Sequence, residues 1–161
     1  MKVFGLTIDP FTNVPIVILK DEGEKLTLPV WIGVLEASAI ASELEKVKFS
    51  RPMTHDLLKD ILKTAGAVVN RIEIIDLKEN VYYATIYMEF ADGRTAQIDA
   101  RPSDAIAIAL RAGASILVDP EVIEKSKNID LTETGRKSKV SKDFLETLED
   151  LSPGDFGKYK M

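Results

Sequence analysis

Residues 104–112 narrow the choice of fold more than any other segment of this chain: they read Asp-Ala-Ile-Ala-Ile-Ala-Leu-Arg-Ala. A helix of that composition is apolar almost all round, so it must be buried. Arg101-Pro102-Ser103 stands directly before it. The proline halts whatever precedes it and enforces an extended approach, while Ser103 is suited to cap the helix. A fainter echo, Arg51-Pro52-Met53-Thr54-His55-Asp56, lies upstream, with Thr54 as its capping residue. Helix N-termini attract anions through their free N–H groups and their dipole. An arginine just ahead of each therefore makes a phosphate- or carboxylate-binding arrangement.

The rest of the chain supplies strands and amphipathic helices around that buried helix. Phe4, Leu6 and Ile8 alternate with other residues, 14–19 is nearly continuously apolar, and Leu26, Leu28, Val30 and Ile32 alternate again. Asp21-Glu22-Gly23-Glu24 reads as the hairpin turn between the last two. A helix is predicted over 35–47 with a stripe of Ile40, Leu44 and Val47, and Glu36 sits one turn ahead on that stripe. A second helix starts at Thr54, carries Leu57, Leu58, Ile61 and Leu62 inward, and stops at Gly66. Strands follow at 68–77, 81–90 and 95–100, the last two joined through Asp92-Gly93, and Asp99 falls on a polar face. A short strand at 114–118 and a short helix at 120–127 complete the pattern. The predicted class is α+β (mixed α/β): a largely antiparallel sheet with packed helices, in a single compact domain over 1–127. Residues 128–161 form a polar linker and a short helical tail, the helix falling at 144–151.

Composition excludes several functions. Cysteine is absent, so disulfides and thiolate metal sites are impossible, and a cytoplasmic location is expected. The N-terminus alternates too regularly for a signal peptide, and no apolar run reaches membrane-spanning length. The formal net charge of −5 argues against broad electrostatic binding of nucleic acid but leaves room for a local basic site. There is no phosphate-binding glycine loop, dinucleotide fingerprint or serine-hydrolase elbow. No organic cofactor is expected.

Several motifs match one known family in order. At Leu28-Pro29-Val30-Trp31-Ile32-Gly33, Glu36-Ala37, Arg51-Pro52-Met53-Thr54-His55-Asp56-Leu57 and Arg101-Pro102-Ser103-Asp104-Ala105-Ile106, the chain resembles the bifunctional nuclease domain family. The resemblance covers roughly 1–127. It implies a mixed α/β domain that forms a homo-oligomer (dimer or higher) and cleaves DNA and RNA.

Phosphodiester hydrolysis requires an activated water and stabilisation of charge on the phosphoryl oxygens. Carboxylates holding Mg²⁺ or Mn²⁺ meet both needs, and a histidine can shuttle the proton. The candidates are His55, Glu36 and Asp104 as catalytic residues, Arg51 and Arg101 as phosphate clamps, and Glu36, Asp99 and Asp104 as metal ligands. Each has a plainer reading. An acid in a helix's first turn gains about 0.3–1 kcal/mol from the dipole alone, which already accounts for Asp104 and Asp56. Glu36 suits an ion pair with Arg51 or Arg101, and His55 suits a surface or capping position. Trp31 reads as core or subunit interface before base-stacking platform. The alternative to a nuclease is a non-catalytic oligomeric binding or regulatory domain that recognises an anionic ligand or a protein partner.

Overall fold

The computed structural model describes residues 1–127. Strands β1 (Lys2–Ile8), β2 (Pro15–Lys20) and β3 (Thr27–Trp31) come first, then helices α1 (Val34–Leu44) and α2 (Thr54–Thr64). Strands β4 (Ala67–Lys78), β5 (Val81–Phe90) and β6 (Thr95–Ala100) follow, then helix α3 (Pro102–Ala112), strand β7 (Ser115–Val118) and helix α4 (Pro120–Ser126). The strands form two sheets, ordered β1-β2-β3 and β6-β5-β4-β7. Every pairing is antiparallel except β4 with β7. A parallel pair cannot be closed by a hairpin, and α3 lies on the connection that brings β7 back beside β4. This is the mixed α+β class that the sequence predicts, with two sheets in place of one.

The apolar helix sits where its composition requires. α3 packs on α1, α2, β4, β5 and β7, and Ala105, Ile106, Ala107, Ile108 and Ala109 are all buried. Each buried isoleucine contributes about 1.5–3 kcal/mol by leaving water. Strand β2, central in its sheet, is likewise buried at every residue. In β5 the alternation places Ala84, Ile86 and Met88 in the core.

Local details differ from expectation in instructive ways. Arg101, not Ser103, is the N-cap of α3, because Pro102 occupies the first helical position, where a fixed φ and a missing N–H cost nothing. The cap of α2 is Met53 and not Thr54, and the Asp56 carboxylate accepts its N–H at 3.0 Å. Helix α1 ends at Leu44, with Lys46 at φ 52° turning the chain, so Val47 falls off the stripe and is exposed. Ile98 is exposed on the edge strand β6.

The largest departure concerns α2. Leu57, Leu58 and Ile61 do not point inward; they are 51%, 41% and 54% exposed, and Leu62 is partly buried against the core. Amphipathic spacing guarantees an apolar stripe but not a partner for it. The predicted linker and the helix at 144–151 lie outside the described residues. Among the described residues no helix is long and apolar enough to cross a membrane.

Candidate functional site

The first turns of α1, α2 and α3 converge on a cavity of about 420 Å³. Glu36 enters it from α1, His55 from α2, and Arg101 and Asp104 from α3; Phe49 and Met53 add apolar wall. The arrangement follows from the chain: Pro102 ends β6 and starts α3, so an arginine and an acid three residues apart emerge together at the cavity edge.

Arg101 organises the charges. Its Nε donates to Asp104 Oδ2 at 2.7 Å and its Nη2 to Asp104 Oδ1 at 3.2 Å, a fork-like pairing, while Nη1 donates to Glu36 Oε1 at 2.8 Å. The imidazole of His55 meets the same acid, with Nε2 3.3 Å from Asp104 Oδ1. An ionised carboxylate only accepts, so Nε2 carries the proton and Nδ1 is the basic nitrogen. Burial pushes the Asp104 carboxyl up, but the hydrogen bonds from Arg101 and His55 outweigh it and hold the group below its ordinary value. It stays ionised, which keeps the imidazole oriented. Gly33 contributes by having no side chain: a Cβ there would collide with the Glu36 carboxylate.

A second ion pair lies behind the first. Arg111 has only 3% of its side chain exposed and donates from Nε to Asp56 Oδ1 at 2.7 Å. Its other nitrogens donate to the carbonyls of Ala107, at 3.1 Å, and Ala39, at 3.0 Å. One guanidinium thus ties α1, α2 and α3 together beneath the cavity, and Asp56 in turn caps α2. Burial raises the Asp56 carboxyl, and the bonds from Arg111 and from the Met53 N–H more than reverse that. Sequence reasoning missed Arg111. The available signal was a basic residue at the end of an apolar helix whose one other charge, Asp104, lies about two turns away, which implies a buried partner from elsewhere.

Thus Glu36, His55, Arg101 and Asp104 stand together, as the helix-start pattern proposed, and Glu36 pairs with Arg101 rather than Arg51. Arg51 lies apart, exposed beside Lys48, Asp56 and Lys59 in a separate surface hollow. Asp99 is exposed on β6 opposite Thr85 and does not line the cavity. A dication shared by Glu36, Asp99 and Asp104 therefore does not fit this arrangement. Both oxygens of Asp104 and one of Glu36 are engaged by Arg101, whose guanidinium lies between the two acids. Among the described residues no three His, Asp or Glu side chains gather as ligands.

The model of the bifunctional nuclease domain matches residues 17–130, most of the chain, including Glu36, His55, Arg101 and Asp104. The chain belongs to the bifunctional nuclease domain family. An uncharacterised protein of Mycobacterium tuberculosis is 35% identical over 97% of this chain and 96% of its own length. Bifunctional nuclease 1 of Oryza sativa subsp. indica is 25% identical over 81% of this chain, and bifunctional nuclease 2 of Arabidopsis thaliana is 25% identical over 77%. These matches span 40% and 38% of the two plant proteins, so this bifunctional nuclease domain corresponds to part of each.

Proposed function

We propose that this domain hydrolyses phosphodiester bonds of DNA or RNA in the cavity at the three helix starts, acting as a cytoplasmic homo-oligomer. One observation carries the reading: an imidazole oriented by a carboxylate lies beside an arginine at the mouth of a cavity open to solvent. His55 Nδ1 takes the proton of a water as its oxygen attacks phosphorus. Arg101 faces the charge that grows on the phosphoryl oxygens, and a solvent water protonates the departing oxygen as the P–O bond breaks. Asp104 supplies no proton; it holds the ring and offsets its charge when protonated. The substrate phosphate must compete with Glu36 for Nη1 of Arg101, a rearrangement that a flexible surface arginine allows.

The test is cleavage of single- and double-stranded DNA and RNA, with Mg²⁺, with Mn²⁺ and with chelator. Cleavage persisting in chelator is expected, and His55→Ala lowers it by about 10²–10⁴-fold. Full activity in that variant would remove the imidazole from the mechanism.

A second reading is favoured by local charge. Two arginines, Arg101 and Arg111, face three acids, Glu36, Asp104 and Asp56, so these ion pairs carry no positive excess. Absence of cleavage under every condition favours a domain that binds a protein partner or a small anion. Support for the homo-oligomer comes from the uncovered apolar flank of α2. Light scattering checks it, with Leu58→Glu expected to yield the monomer.

A further inference from the structure

A smaller cavity, of about 260 Å³, adjoins the first one and shares Glu36 and Arg101 with it. Trp31, Asn80, Tyr82, Pro102 and Ser103 complete its lining. We infer that this cavity takes the unpaired nucleoside next to the phosphate bound at Arg101, with the Ser103 hydroxyl hydrogen-bonded to it. The inference rests on the nucleic-acid reading of the larger cavity.

Three observations point to a ligand of this kind. Ser103 is only 6% exposed, and its hydroxyl makes no hydrogen bond to any described residue. A buried hydroxyl without a partner is rare and costly in a folded protein. Capping would have explained it, but Arg101 holds the cap position. Ser103 lines the cavity instead, and a ligand entering there can offer its hydroxyl the partner that the described residues do not.

The aromatic walls form the second observation. The Trp31 indole N–H donates to Asp9 Oδ2 at 3.1 Å, and the Tyr82 hydroxyl donates to the Pro29 carbonyl at 2.9 Å. Burial pushes the Tyr82 hydroxyl well above its ordinary value, so it stays neutral. Both rings are thus fixed by their polar edges, and they offer carbon surface to an occupant without paying further ordering entropy. Planar bases pack on such surface whatever their identity.

The shared wall is the third. Arg101 fronts both cavities, so a phosphate on its guanidinium has the reacting water on the His55 side and a nucleoside on the Trp31 side. A base held in a duplex stack cannot enter so small a space; an unpaired one can.

Because the chain has one tryptophan, its emission reports directly on this cavity. The experiment titrates the intact protein with uridine and adenosine 5′-monophosphates, then with ribose 5-phosphate and inorganic phosphate. Cleavage of a single-stranded oligomer is measured alongside that of a blunt duplex. Both nucleotides should quench Trp31, the two base-free phosphates should not, and single strands should be cut faster. Ser103→Ala leaves the buried volume nearly unchanged and should weaken nucleotide binding roughly five- to tenfold, raising KM more than it lowers kcat. Equal quenching by ribose 5-phosphate, no quenching, or unaltered affinity in Ser103→Ala would each overturn the nucleoside subsite. Cleavage with no quenching removes the subsite and leaves the proposed hydrolysis standing. Quenching by nucleotides without cleavage of any substrate removes hydrolysis and leaves the subsite, and the absence of both removes both.

Discussion

The two Arg-Pro helix starts begin from nearly the same words and end in different chemistry. At α3, Arg101 turns back onto Asp104 three residues later and reaches across to Glu36. At α2 the corresponding acid, Asp56, is taken by Arg111 from another helix. Arg51 is left exposed and pairs with no described residue. The motif decides where a helix begins. Which arginine an acid meets is decided by the neighbours that tertiary packing brings, and α3 contributes an arginine at each of its ends.

That contrast can be broken, and the largest effect should fall on activity. Arg101→Ala removes the cation at the cavity mouth and should lower cleavage by about 10²–10³-fold with little change in fold. If Arg51→Ala lost as much, the assignment of unequal roles would be wrong.

Stability should change most at the other pair. Arg111→Leu strands Asp56 and the Ala39 carbonyl, at a cost of about 3 kcal/mol, read as a lower urea midpoint at unchanged slope. The same pair should set an acid limit. Asp56 has a folded pKa below its unfolded value of about 3.9, so its contribution is complete above that value and is lost as pH falls through the folded one. Asp56→Asn should therefore be less stable than wild type at pH 7, with the gap closing below about pH 4. A gap constant across that range would mean the carboxylate charge is not what Arg111 needs. The smallest effect belongs to Arg51→Ala, expected within about 0.5 kcal/mol of wild type and with unaltered cleavage.

Much of the fold was legible. An all-apolar helix has one solution, and the β4–β6 ladder announced itself through alternation and the turn at Asp92-Gly93. The orientation of α2 was not legible, because periodicity identifies an apolar face without saying what covers it. At the site, Glu36 stood out as an acid on an apolar stripe and found its arginine. Asp99 was grouped with the site because it lies on the polar face of the strand that leads into Arg101, yet in the fold it is exposed on β6 and does not line the cavity. Ser103 looked like a cap until proline took the first helical position, and only the structure shows its hydroxyl left over.

Strand β2 carries a further consequence, for assembly of the chain. Its sequence, Pro-Ile-Val-Ile-Leu-Lys, is β-prone and uncharged through its middle, the kind of segment that stacks on copies of itself when bare. Pro15 and Lys20 stand at its two ends, in the positions where gatekeepers interrupt such stacking. Its ladder partners, β1 and β3, are its immediate neighbours along the chain. Short loops close quickly, so both edges of β2 are covered before β7 must travel back to β4. A strand prone to stack on its own copies is thus covered by its nearest neighbours in sequence.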